Sequence, residues 1–205
     1  MMGHRRLNRE TETCNAPFNM QLKDLERTIN PEKRGFPMAG LSYNIRPAEE
    51  EDLPVLMDLI KQLAVYEKLI DSYTATMELY RKYGFSEDAI FGALLVEKTA
   101  GEGPDYFGVA LYYYTYSTFT GKPTLYLEDI FVPEEYRGRG IGTRLLVKLA
   151  KIAVEKDCAR MDWIVLDWNK PSWEFYKNLG AFPLDDWTVF RMLSPEIKKL
   201  AETNL

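Results

Sequence analysis

Leu125-Tyr126-Leu127-Glu128-Asp129-Ile130-Phe131-Val132-Pro133-Glu134-Glu135-Tyr136-Arg137-Gly138-Arg139-Gly140-Ile141-Gly142-Thr143 is the stretch on which the reading of the fold turns. An apolar strand stops at Pro133, a short charged loop follows, and a glycine-rich turn opens into Leu145-Leu146-Val147-Lys148-Leu149-Ala150, a helical pattern. A helix start leaves backbone N–H groups without partners and carries the positive end of the helix dipole, so a bound diphosphate satisfies both. Glycine at 138, 140 and 142 lets the backbone approach phosphate oxygens that a Cβ would hold off. The spacing is not G-x-G-x-x-G, and no Gly-Lys-Ser/Thr follows, so neither a dinucleotide fingerprint nor a Walker loop fits. Taken alone, the pattern is equally compatible with a flexible turn carrying basic solubilising residues.

The composition sets the bounds around this stretch. A chain of 205 residues, 46% hydrophobic and 28% charged, suits one well-cored domain with a tail. No apolar run approaches the roughly 18 residues that span a bilayer, and the N-terminus has no apolar signal region, so a cytoplasmic protein without membrane contact is expected. Cys14 and Cys158 lie far apart and read as reduced thiols. His4 is the sole histidine, which excludes a histidine triad or a multi-histidine metal site, and no metal is expected. A net charge of −5 argues against nucleic acid as a partner and is compatible with a cationic substrate.

Residues 1–40 mix charges, prolines and glycines without sustained periodicity and read as a flexible extension; the folded domain is expected over 41–205. Ser42 to Pro47 reads as a short strand. Leu53, Leu56, Met57, Ile60, Leu63 and Ala64 then mark an amphipathic helix with Pro54 in its first turn. A shorter helix from about Thr76 to Tyr83 is expected to stop at a left-handed Gly84. Phe91 to Glu97, Phe107 to Tyr116 and Thr124 to Val132 form an antiparallel meander. The helix after the glycine turn runs to about Lys156, and Met161 to Leu166 should lie parallel to Thr124 to Val132. A helix from Asn169 to Leu179 closed by Gly180, a strand from Thr188 to Met192 and a short helix capped by Ser194-Pro195 complete the order. The fold class is therefore α/β (α+β): a mixed, mostly antiparallel sheet flanked by helices. If its parallel pair splays apart, unpaired backbone groups on Ile130, Phe131 and Val132 can bind an amide-rich ligand as an added strand.

Arg137-Gly138-Arg139-Gly140-Ile141-Gly142 resembles the R/Q-x-x-G-x-G/A signature of the acyl-CoA-dependent N-acetyltransferase superfamily, GNAT, and the element order is that of its fold. Ile45-Arg46-Pro47-Ala48, Tyr66-Glu67, Tyr126-Leu127-Glu128-Asp129, Asp167-Trp168-Asn169 and Phe175-Tyr176-Lys177 together resemble the spermidine/spermine N-acetyltransferase family. Within it the chain is most similar to the thialysine branch, on Val165-Leu166-Asp167-Trp168-Asn169 and on Ser117, where the polyamine enzymes have aspartate. The resemblance implies acetyl-CoA as co-substrate, held by Ile130, Phe131, Val132, Arg137 to Thr143 (Arg137, Gly138, Arg139, Gly140, Ile141, Gly142, Thr143), Asn169, Lys170, Pro171, Ser172 and Tyr176. It implies a small amine bound near Tyr66, Glu67, Ser117, Glu128, Asp162, Trp163 and Ile164, and a homodimer.

Acetyl transfer to an alkylamine requires that the ammonium, with a pKa near 10, first lose a proton. Glu128 is the candidate acceptor, directly or through water; a plain hydrogen-bonded strand carboxylate is the other reading. Alternation along the strand turns Asp129 to the opposite face, where it reads as structural. The departing thiolate needs a proton. Asn169 and Tyr176, seven residues or about 700° apart, share a helix face, and the resemblance assigns the donor to Tyr176. The expected activity is acetylation of thialysine, a lysine-like amino acid or a diamine in a ternary complex. A polyamine acetyltransferase and a non-catalytic acetyl-CoA-binding module are the alternatives.

Overall fold

The computed structural model describes residues 41–203, so the expected extension over 1–40, with His4 and Cys14, lies outside the described residues. Five strands make one sheet in the order β1-β2-β3-β4-β5: β1 Ser42–Pro47, β2 Gly92–Ala100, β3 Tyr106–Ser117, β4 Lys122–Phe131 and β5 Arg160–Asp162. The first four pair antiparallel, and β5 joins β4 in parallel. The helices are α1 Leu53–Tyr66, α2 Met77–Gly84, α3 Ile141–Glu155, α4 Lys170–Lys177 and α5 Ser194–Ala201. None among the described residues is long and apolar enough to cross a membrane. The chain divides into two compact units, the sheet unit ending at Leu166 and a second one over Asp167–Leu205.

The spacing of the α1 leucines becomes the core directly. Leu56, Leu59, Ile60 and Leu63 are buried against Ala93, Leu95, Val109 and Phe131 of the sheet, one helical stripe on one sheet face. Pro54 sits in the first turn, where its missing N–H leaves no bond unmade. Arg46 ties this helix start to the sheet. Its Nη1 and Nη2 donate to Asp52 at 2.6 and 2.9 Å, its Nε to Glu97 at 2.8 Å, and Nη2 also to the Tyr106 hydroxyl at 2.9 Å. Asp52 is 8% exposed, and the Arg46 hydrogen bonds outweigh burial and hold its carboxyl below the usual range.

Several expectations change. Gly84 is the last residue of α2 and is not left-handed; a Cβ there would lie 2.4 Å from the Phe91 ring, so close packing, not a cap, demands glycine. Thr188 to Met192 forms no strand: it has no ladder partner among the described residues, and Val189 and Phe190 are 69% and 92% exposed. An apolar run becomes a strand only beside a neighbour that takes its N–H and C=O groups. The third change is the parallel pair. It spans only Thr124↔Arg160, Leu125↔Met161 and Tyr126↔Asp162, shorter than the strand expected to Leu166. Gly180, at φ 92, does close α4 as expected, whereas Ser194 is the first residue of α5 and the extended Leu193 precedes it.

Candidate active site

The short parallel pair leaves β4 running on alone. Beyond Tyr126 no strand pairs with it on the β5 side among the described residues, although β4 continues to Phe131. That edge leads through the buried Val132 and Pro133 and a single turn, Glu134–Tyr136, into the glycine loop. Gly138 and Gly140 have φ of 74° and 76°, a left-handed backbone that a side chain strains. The first bond of α3 is Arg144 N–H to the Gly140 carbonyl at 3.0 Å. No acceptor among the described residues takes the backbone N–H groups of residues 138–143. A Cβ at Gly138 would meet nothing within 4 Å, so the loop faces open space. Consecutive free amides at a helix start, with an unpaired strand edge leading to them, fit a diphosphate and an amide-bearing arm. The neighbouring arginines are held by the protein. The Arg137 Nε donates to the Val132 carbonyl at 2.8 Å, and the Arg139 Nη2 to the Glu135 carbonyl at 3.1 Å.

Along β4 the alternation fails at the place where the chemistry is expected. Leu111 pairs with Asp129 and Tyr112 with Leu127, so one step on β3 meets two on β4 and Glu128 is the bulged residue. Phe131 belongs to the core beneath α1, whereas Leu125 and Leu127 are buried outside that cluster. Asp129 thereby shares its side of the sheet with Glu128, contrary to its expected place on the opposite face. Burial, then the Glu128 carboxylate, then that of Glu67 push the Asp129 carboxyl up to about 7. Glu67, just past the end of α1, is itself raised by burial. Tyr113 and Tyr126 face each other across the ladder with rings 5.0 Å apart. Burial raises the Tyr113 phenol first, then the charge of the neighbouring Glu128 carboxylate. Tyr126 is raised by burial and then by the charges of Glu128 and Asp162. Across the cluster, burial and then Tyr73 and Asp129 raise Tyr80 of α2.

The structure therefore gathers Glu67, Glu128 and Asp162 and adds Asp129, Tyr80, Tyr113 and Tyr126, which the sequence reading left out. The signal present in the sequence was the pair of adjacent carboxylates in an otherwise apolar strand. Asp162 ends β5 and accepts from the Arg160 Nε at 2.9 Å. Trp163 is half-buried, and Ile164 is 59% exposed just beyond it. Ser117 is not brought to Glu128. It pairs with Lys122 at the far end of the β3–β4 hairpin, five ladder steps from Tyr112↔Leu127 and so about 17 Å along the strands. There its buried Oγ accepts from the Thr120 N–H at 3.3 Å and serves the turn.

In the second unit, Asn169 precedes α4 and Lys170, Pro171 and Ser172 form its first turn. Asn169 and Tyr176 are its buried polar residues, 8% and 9% exposed. The Tyr176 ring lies 5.1 Å from that of Phe175, and Lys170 Nζ stands 4.0 Å over the Trp173 ring.

Residues 57–181 match the model of the Acetyltransferase (GNAT) family, a span containing the bulge, the glycine loop and α4. The thialysine N-epsilon-acetyltransferase of Bos taurus is 42% identical over 164 residues, which cover 77% of this chain and 96% of that protein. The spermidine/spermine N(1)-acetyltransferase-like protein 1 of Homo sapiens is 36% identical over 165 residues, covering 78% of this chain and 24% of that protein. Among solved structures, an integron cassette protein from the mobile metagenome of V. cholerae superposes with a TM-score of 0.64 at 25% identity. That match covers 79% of this chain and 99% of the other.

Proposed function

Because the chain belongs to the GNAT family of acetyltransferases, we propose that it moves the acetyl group of acetyl-CoA onto a primary amine of thialysine, a lysine-like amino acid or a diamine. The observation that carries this reading is the bulge that turns Glu128 and Asp129 to one side of β4, on the strand whose open edge leads to the unpartnered amides. Those amides and Arg137 are assigned the diphosphate, and the free edge over Ile130 to Val132 the pantetheine amides. Acetyl-CoA, once bound, supplies an activated acyl group; the protein's own work is to place the amine and manage two protons.

Glu67, Glu128 and Asp129 attract an alkylammonium to a site walled by tyrosines, which favours a short cation with one charged end. Glu128 takes the proton that the ammonium must lose, directly or through water. Asp129, held near neutrality, is a second acceptor within the same cluster. Tyr176 is assigned the proton that the departing thiolate requires. Cys158, the one cysteine among the described residues, has its thiol raised by burial and is a poor nucleophile, which favours direct transfer in a ternary complex over an acyl-enzyme. The assembly proposed is a homodimer, for which the exposed Trp187, Val189 and Phe190 of the second unit are the supporting observation.

Steady-state kcat/KM for thialysine, lysine, putrescine and spermidine with acetyl-CoA tests the reading. Thialysine or lysine should be the best substrate; a preference for spermidine would move the chain to the polyamine branch. Coenzyme A binding with no turnover on any amine would leave a binding module. Tyr176→Phe should lower kcat by about 100-fold, far more than it lowers coenzyme A affinity, and an unaltered kcat would remove Tyr176 from the donor role.

A further inference from the structure

Tyr66 and Glu67 sit side by side at the end of α1, and their resemblance places both at the amine. In the structure the two side chains serve different neighbours. Glu67 acts on the carboxylate cluster through Asp129. The Tyr66 ring instead lies under the guanidinium of Arg137, whose Cζ is 4.4 Å from the ring centroid. The Phe131 ring is 5.8 Å from the same carbon, and the two rings are 6.4 Å apart with their planes at 50°.

Arg137 is thus fixed on three sides. Phe131 is a buried core residue, Val132 accepts the Nε hydrogen at 2.8 Å, and Tyr66 supplies an aromatic face. An arginine has five N–H hydrogens, and Nε uses one of them here. No acceptor among the described residues takes those on Nη1 and Nη2. The next residue in the chain is Gly138, where the run of unpartnered amides begins. A planar guanidinium with its inner nitrogen anchored and its outer pair unspent, directly before an amide anion site, is pre-organised for a phosphate oxygen.

We propose that Tyr66 is a positioning residue for the coenzyme diphosphate: its ring holds the Arg137 guanidinium beside the glycine loop, and it acts on the acyl donor, not on the choice of amine. This rests on the assignment of the glycine loop to the diphosphate. Without the ring the arginine keeps one hydrogen bond and a more distant aromatic neighbour, and regains the rotamer freedom that binding must then remove.

The test is calorimetric titration of coenzyme A and of pantetheine into the full chain without amine. Tyr66→Met keeps the apolar volume and should weaken coenzyme A by about fivefold; Tyr66→Phe should bind like the wild type. Arg137→Met should also weaken it, and adding Tyr66→Met to Arg137→Met should cause no further loss, because the ring acts through the guanidinium. The amine KM at saturating acetyl-CoA should move less than about twofold in Tyr66→Met, against fivefold for the coenzyme. Unchanged coenzyme A affinity in Tyr66→Met, a loss that adds fully to that of Arg137→Met, or a raised amine KM in its place would overturn the proposal. If the wild type binds pantetheine as tightly as coenzyme A, it is the diphosphate assignment of the loop that fails, and the proposal with it.

Discussion

Burial and the Glu128 and Glu67 carboxylates raise the Asp129 carboxyl to about 7 in the folded chain, above the value near 3.9 of an aspartate in an unfolded one. Between about pH 4 and 7 the folded state therefore holds a proton that the unfolded state has lost, and stability falls as pH rises through that window. Asp129→Asn removes the buried charge. Urea denaturation should show equal stability for wild type and variant near pH 4, and a gain for the variant of roughly 1–3 kcal/mol at pH 8. Gly138 is a second residue whose replacement separates stability from binding. A Cβ there meets nothing in the protein, so Gly138→Ala should cost only the left-handed backbone penalty of about 1 kcal/mol. The same Cβ projects into the loop's open side, and coenzyme A affinity should drop by about tenfold or more in a titration, well beyond what the small shift in melting temperature would suggest.

The elements are joined by one partly buried charge network as well as by the apolar stripe of α1. Arg46 of β1 bonds Asp52 before α1, Glu97 of β2 and Tyr106 of β3, so one guanidinium ties the first strand and the start of α1 to the middle of the sheet. Arg46→Met would strand the buried Asp52 and should destabilise the fold by about 3 kcal/mol, read from denaturant unfolding at neutral pH. The loss should shrink on acidification, as Asp52 becomes protonated in the variant and its burial no longer isolates a charge. The bulge in β4 is the element-scale feature on which the site depends. It turns Asp129, and with it Phe131 two residues on, to the α1 face of the sheet, and so places two adjacent carboxylates on one side of a strand, which an unbroken ladder forbids.

At the scale of the whole molecule, the second unit carries Phe182, Trp187, Val189, Phe190 and Leu193 in exposed positions, more apolar surface than a small unit ordinarily presents to water. Sedimentation velocity should find a dimer at micromolar concentration, and Trp187→Asp with Phe190→Asp should shift it to a monomer. A wild type that sediments as a monomer would remove the homodimer from the proposed assembly. The sequence by itself determined the α1 stripe, the meander, the strand-turn-helix around Gly138 and Gly140, and the unpartnered amides that follow, because each depends on local backbone geometry and on the period of one segment. Only the tertiary structure decided the side from which Asp129 emerges, the ring that holds Arg137, the distance of Ser117 from Glu128 and the want of a strand at Thr188 to Met192. Those depend on the register between segments far apart in the chain. A ladder can shift by one residue, or find no neighbour at all, without any change in the local pattern from which a strand is read.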